Sequence, residues 1–182
     1  MMDEAMSAQD LKEEGLRLFQ EGLYPEAAER FGQARELFAA EDDEVEATEM
    51  LNNLGVVYRM QRDWDRAIEA LEAAREAFSG LGDRNREAQV LGNLGGLYAG
   101  RGERDTAKDC LRTAADTFAE LGDEQRYGET LLALGVQYWK TGERQEGLAT
   151  YQSGLEALDQ PSVSQKALRS LLGLRSRLLG SG

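Results

Sequence analysis

Leu51-Asn52-Asn53-Leu54-Gly55-Val56-Val57-Tyr58 decides how this chain folds, because its frame of leucine, leucine-glycine and tyrosine returns every 40 residues. Four glycines set the beat: Gly15, Gly55, Gly95 and Gly135. Four positions before them stand Leu11, Leu51, Leu91 and Leu131, and three positions after them Leu18, Tyr58, Tyr98 and Tyr138. The position just before the glycine holds Leu54, Leu94 or Leu134, with Glu14 as the exception. Working outward, a small residue follows at twelve (Ala27, Ala67, Ala107, Gly147) and a large apolar one at sixteen (Phe31, Leu71, Leu111, Tyr151). Another small residue comes at nineteen (Ala34, Ala74, Ala114, Gly154), and a last apolar column at twenty-three (Phe38, Phe78, Phe118, Leu158). Self-similarity at a fixed period of this size is the mark of a repeat architecture.

Within each unit the apolar residues recur at intervals of three and four, the spacing of an amphipathic helix, in two runs broken near Gly22, Arg62, Gly102 and Gly142. Each unit therefore reads as a hairpin of a helix A and a helix B. Leu81-Gly82-Asp83 and Leu121-Gly122-Asp123 join the units with a glycine fit for the C′ position and an aspartate fit for the next N-cap; Asp43 fills that column earlier. Pro25 suits a first helical turn, where no amide hydrogen bond is lost. The spacing predicts helix pairs at 8–21/24–40, 43–61/64–80, 83–101/104–121 and 123–141/144–158, after a flexible stretch over 1–7. One more helix is expected over 163–179, where Leu171, Leu174 and Leu178 keep the beat of a fifth helix A without a partner. It reads as a cap over the last hairpin. Its bases Lys166, Arg169, Arg175 and Arg177 also admit an amphipathic helix for an acidic partner or a membrane.

The chain has 182 residues, 34 acidic and 21 basic side chains, no histidine and one cysteine, for a net charge of −13. Without histidine there is no imidazole metal site and no Ser-His-Asp or Cys-His nucleophile system. The negative charge opposes binding to nucleic acid or an anionic membrane. Cys110 lacks a flanking cationic or second-thiol motif and reads as an inert thiol. There is no phosphate-binding glycine-lysine loop, and the glycines from Gly92 to Gly102 lack the spacing and preceding strand of a dinucleotide motif. Pairs such as Glu72 with Arg75 or Asp105 with Lys108 describe solvated helix faces. A non-enzymatic protein without cofactor or metal is expected. The start has neither a basic n-region nor an apolar h-region, and no window is apolar enough to span a bilayer, so a cytoplasmic location is expected.

The pattern Leu-x-x-Leu-Gly-x-x-Tyr, followed by the small, apolar and small columns, resembles the tetratricopeptide repeat across residues 8–179. A 40-residue period is longer than the usual 34 and is similar to that of kinesin light chains, Pins-type scaffolds and many bacterial signalling proteins. The resemblance implies an all-α fold, a right-handed superhelix (α-solenoid) of four hairpins, 8–40, 43–80, 83–121 and 123–158, with the C-terminal cap. Glu14 fits a polar outer side on the first hairpin, and Gly147 and Gly154 are expected to make the last helix B the least stable.

The resemblance also implies a concave groove lined by the A helices that holds a partner peptide. By register its lining includes Asn52, Asn53, Val56 and Arg59, then Gln89, Gly92, Asn93 and Gly96, then Leu132, Val136, Trp139 and Lys140. The subclass that clamps a C-terminal carboxylate is matched at Lys12 and Asn53 but not at Leu16, Gln89 or Asn93, so that function is rejected. The asparagines suit hydrogen bonds to a peptide backbone or, equally, to one another across adjacent A helices. Gly92 and Gly96 either open a pocket walled by Val56, Leu132, Val136 and Trp139 or permit close packing of A helices. Trp139 is either an exposed anchor or covered by the C-terminal helix.

The expected function is an adaptor, scaffold or assembly subunit with a protein partner; the alternative is a signalling receptor domain that changes conformation around a small peptide or metabolite. Residues 1–50 carry most of the acidic surplus, while 160–182 hold bases and no acid. That gradient raises head-to-tail association between copies.

Overall fold

A computed structural model describes residues 6–158, 161–162, 164–166 and 168. The described residues form eight α-helices and no strand: α1 (Ala8–Gln20), α2 (Tyr24–Ala40), α3 (Glu44–Met60), α4 (Trp64–Gly80), α5 (Arg84–Arg101), α6 (Arg104–Leu121), α7 (Glu124–Lys140) and α8 (Arg144–Ala157). The fold is all-α and built of consecutive helical hairpins. Odd-numbered helices are the A helices and even-numbered ones the B helices, with ends within one residue of those the spacing predicts.

Turn chemistry sets those ends. Asp43, Asp63, Asp83 and Asp123 each accept a backbone N–H three residues on, from Glu46 (3.0 Å), Arg66 (3.3 Å), Arg86 (3.0 Å) and Arg126 (3.0 Å). Such a bond satisfies one of the amides a helix start leaves without a partner. Helix α6 ends on Gly122 at φ +71°, a left-handed conformation that costs glycine nothing. In the α3–α4 turn the same conformation falls on Arg62, at φ +61°.

The chain divides into two compact units, residues 1–97 and 98–182. In the first, α2 packs on both α1 and α3, and α3 packs on α4. The repeat columns supply this core: Ala27, Phe31, Ala34, Leu71, Ala74 and Phe78 are each at most 1% exposed. The alanines bring helices together, and the phenylalanines fill the space behind them. Gly15 and Gly55 lie under Phe31 and Leu71, where an added Cβ would meet side-chain carbons at 2.6 and 2.5 Å.

In the second unit α7 packs on α6 and α8, and Leu111, Ala115, Leu131, Leu134 and Tyr138 form the core. Here Gly147 and Gly154 carry a packing role that helix propensity does not count. A Cβ on Gly147 would stand 2.8 Å from both the Gly135 carbonyl and the Trp139 amide, and one on Gly154 would stand 2.8 Å from the Gly128 carbonyl. Helices α7 and α8 thus meet backbone to backbone, which only glycine permits, and close packing opposes the propensity cost that the sequence reading weighed alone.

Of the expected C-terminal cap, residues 164–166 and 168 are helical, and the remainder lies outside the described residues. Ser162 and Gln165 exchange side-chain to backbone hydrogen bonds at this helix start (2.7 and 3.3 Å).

Candidate functional site

In the first unit the expected lining residues fall on a face shared by α1, α3 and α5. Helix α3 presents them on one stripe because Glu46, Glu49, Asn52, Val56 and Arg59 recur at three and four residues. Most of the stripe is engaged with the neighbouring A helices. Lys12 Nζ on α1 binds Glu46 at 2.6 Å, and Arg86 on α5 lies 3.5 Å from Glu49 while also binding Asp83 at 2.7 Å. Asn93 Nδ2 donates to Asn52 Oδ1 at 2.8 Å. Asn52 is only 3% exposed, so its amide is spent on α5 and turned away from solvent. Lys12, one of the two matches to the carboxylate-clamping subclass, is likewise occupied by Glu46.

Asn53 behaves differently from its neighbour. It is half-buried, and its side chain has no hydrogen-bond partner among the described residues. With Val56 it borders a recess of about 80 Å³ whose other walls are Leu16, Phe19 and Phe31. Leu16 is 39% exposed, so an apolar rim stands beside a free amide.

Arg59 is the least expected feature of this face. A Cβ built on Gly96 would lie 2.6 Å from Arg59 Nη1. The notch at Gly96 is therefore filled by the Arg59 guanidinium, which is neither an apolar pocket nor bare helix-on-helix contact. Arg59 Nε is buried with no hydrogen-bond partner, and among the described residues no carboxylate lies within ion-pair distance of the side chain. Burial pushes this guanidinium below the ordinary arginine range. Gly92, one turn earlier, faces open space. Gln89 is half-buried at the start of the same face.

Larger clefts lie elsewhere in this unit; those of about 470 and 310 Å³ are between α2, α3 and α4, with Arg35 and Leu51 bordering both. The repeat register had drawn attention only to the A-helix face. The signal for the clefts was the small side chains Ala39, Ala73, Ala77 and Gly80 on facing B helices.

In the second unit Leu132, Val136, Trp139 and Lys140 lie on α7. Val136 is 38% and Trp139 54% exposed, and Leu132 is half-buried. The Arg144 guanidinium lies 5.7 Å from the Trp139 ring centroid, a cation–π contact that leaves much of the indole open. Gln137, which the sequence reading passed over, is 6% exposed, and its Oε1 has no hydrogen-bond partner among the described residues. Its repeat equivalents Val57 and Leu97 are fully buried and apolar. The same fold unit holds Lys108 between Glu143 (2.7 Å) and Asp105 (3.0 Å), and Arg112 against the Tyr138 hydroxyl (2.9 Å).

Among the described residues no group of three or more Cys, Asp or Glu side chains is placed to hold a metal ion, and no helix is long and apolar enough to cross a membrane.

Paired amphipathic helices with small-residue contacts, and a polar stripe along α1, α3 and α5, define a helical-repeat protein. The sequence profile of the tetratricopeptide repeat matches residues 11–80 and 46–120, more than half of the chain, and the chain belongs to that family. This fold serves in general as a non-catalytic protein-interaction module. A search of curated proteins finds no match. Among solved structures, BtubC (BKLC) from P. vanneervenii is similar at 23% identity and a TM-score of 0.73, over 82% of this chain and 62% of that one. The apo form of RapI is similar at 17% identity and a TM-score of 0.77, over 96% of this chain and 50% of that one. At these identities the likeness is one of fold, and the chain spans about half to three fifths of the length of these two structures.

Proposed function

We propose that this chain is a non-enzymatic adaptor or assembly subunit that takes a segment of a partner protein along its A helices. The observation that carries this reading is Asn53. It is a half-buried amide with no side-chain partner among the described residues, set beside the apolar recess of Leu16, Phe19, Phe31 and Val56. An amide offers a donor and an acceptor to the backbone of an incoming chain, and the recess takes one apolar side chain. In the second unit, taken by itself, exposed Trp139 and Val136 on α7 offer a separate patch, since exposed tryptophans are favoured interface anchors.

The test uses peptides selected from a random display library against the full chain. Asn53→Ala and Leu16→Asp are each expected to weaken the selected peptides by roughly five- to thirtyfold, the range of an interface hot spot. Glu69→Ala, exposed on helix B of the second hairpin, is expected to leave affinity unchanged. Equal effects of all three variants, or none from the first two, refute the reading.

A further inference from the structure

The α3 stripe is a ladder with one rung open. Glu46 reaches back to Lys12 on α1, Glu49 faces Arg86 on α5, and Asn52 accepts from Asn93 on α5. The last rung, Arg59, also crosses to α5, but it ends at Gly96, a residue without a side chain. A guanidinium carries five N–H donors and always its charge, and here none of them meets an acceptor among the described residues. Lodging such a group half-buried against a neighbouring helix costs desolvation that only an acceptor offsets. In a chain with 34 acidic residues an internal partner was easy to supply, as it is for Lys12, Arg66, Arg86, Lys108 and Arg126. Along this face Lys12 pairs with Glu46, and Arg86 is shared between Asp83 and Glu49, so every charge of the α3 stripe except that of Arg59 faces an opposite one. It lies one turn beyond the Asn53 and Val56 recess on the same helix.

We propose that Arg59 is an anion anchor: lodged in the notch at Gly96, it receives a carboxylate of an acidic partner segment. The proposal rests on the A-helix face being the binding face and adds the chemistry of what binds there. Three things fix the geometry. Gly96 leaves the space, the α3 register aims the side chain across to α5, and the Nε edge is shut from water while the remaining nitrogens are not among the buried atoms lacking partners. A carboxylate reaching those nitrogens forms the charge-assisted, planar pair for which arginine is suited and lysine is not. A polyanion such as nucleic acid is disfavoured by the −13 of the whole chain, whereas a single acidic side chain or a chain terminus meets little of that repulsion.

The test is a double-mutant cycle on the display-selected peptides. Wild-type protein is expected to select peptides with a fixed Asp or Glu. Arg59→Gln then weakens the acid-bearing peptide about tenfold and leaves its Asp→Asn or Glu→Gln counterpart unchanged. Gly96→Ala, which keeps the charge but fills the notch, reproduces the loss. Arg59→Lys fails to restore the affinity. Amidating the peptide C-terminus separates a terminal carboxylate from a side-chain one, since only the former loses affinity on amidation. Peptides without a fixed acid whose affinity is untouched by Arg59→Gln overturn the proposal while leaving the face in place, provided Asn53→Ala and Leu16→Asp still weaken them. Neutral effects of those two variants, or no selected peptide, overturn the binding face and the anchor with it.

Discussion

Gly92→Ala and Gly96→Ala make the same chemical change one turn apart in α5, so any difference between them reports what each glycine faces. Alanine is worth about 1 kcal/mol more than glycine in a helix interior. At Gly92 nothing lies within 4 Å of the new Cβ, so the gain is expected in full. At Gly96 the Cβ would stand 2.6 Å from Arg59 Nη1, the far end of a flexible side chain. The guanidinium swings into water, relieving its unmet desolvation, and stability rises by a similar 0.5–1 kcal/mol. For a chain of this size that is an increase of about 2–4 °C in Tm. The two variants part company in binding. Gly92→Ala keeps the Arg59 seat and the affinity of an acid-bearing peptide, whereas Gly96→Ala is more stable and binds it about tenfold more weakly. Urea midpoints followed by circular dichroism, with calorimetric titration of the same peptide, measure both quantities. A Gly96→Ala protein destabilised by more than 1 kcal/mol refutes the argument that only a movable side-chain tip fills the notch.

The remaining predictions follow from packing and protonation. Gly147→Ala is expected to lower stability by about 1–3 kcal/mol despite its better propensity, because its Cβ meets backbone atoms of α7 at 2.8 Å and backbone cannot step aside; thermal melts check the sign. Gln137→Leu is expected to raise stability by about 1–2 kcal/mol, since it removes a buried acceptor without a partner and restores the apolar residue of the Val57 and Leu97 column; an unchanged or lower urea midpoint refutes it. The Asp83 carboxyl is held below its ordinary 3.8, first by the Arg86 backbone N–H and then by the Arg86 guanidinium. A lowered folded-state pKa gives stability that is present above about pH 4 and lost as the pH falls through the folded value. Asp83→Asn keeps a neutral cap, so its Tm is expected to fall less than wild type between pH 5 and 3. The difference stays under about 1 kcal/mol because the pair is still partly exposed to water, which screens it.

The fold was legible in the sequence because each repeat column carries a single packing task. Phe31 and Leu71 are large where Gly15 and Gly55 sit opposite, and Ala27, Ala67 and Ala107 are small and fully buried. Helix ends were legible through Asp caps and left-handed glycines, which act locally. Pairings between helices were less so. Gly147 and Gly154 looked like weaknesses until set against Gly135 and Gly128; the reciprocal glycines were visible, but their register across two antiparallel helices was not. Adjacent Asn52 and Asn53 are indistinguishable as residue types, yet 100° of helix rotation buries the first against α5 and leaves the second open. That Arg59 occupies the space above Gly96 depends on the reach of a long side chain, which no column of the repeat records.

Mapping amide and arginine side-chain resonances of the full chain during titration with a selected peptide tests the binding face most directly. Shifts are predicted to cluster on Leu16, Asn53, Val56, Arg59 and Gly92 of the A helices. Shifts confined to Arg35, Ala73 and Ala77, which border the clefts between B helices, would contradict the account.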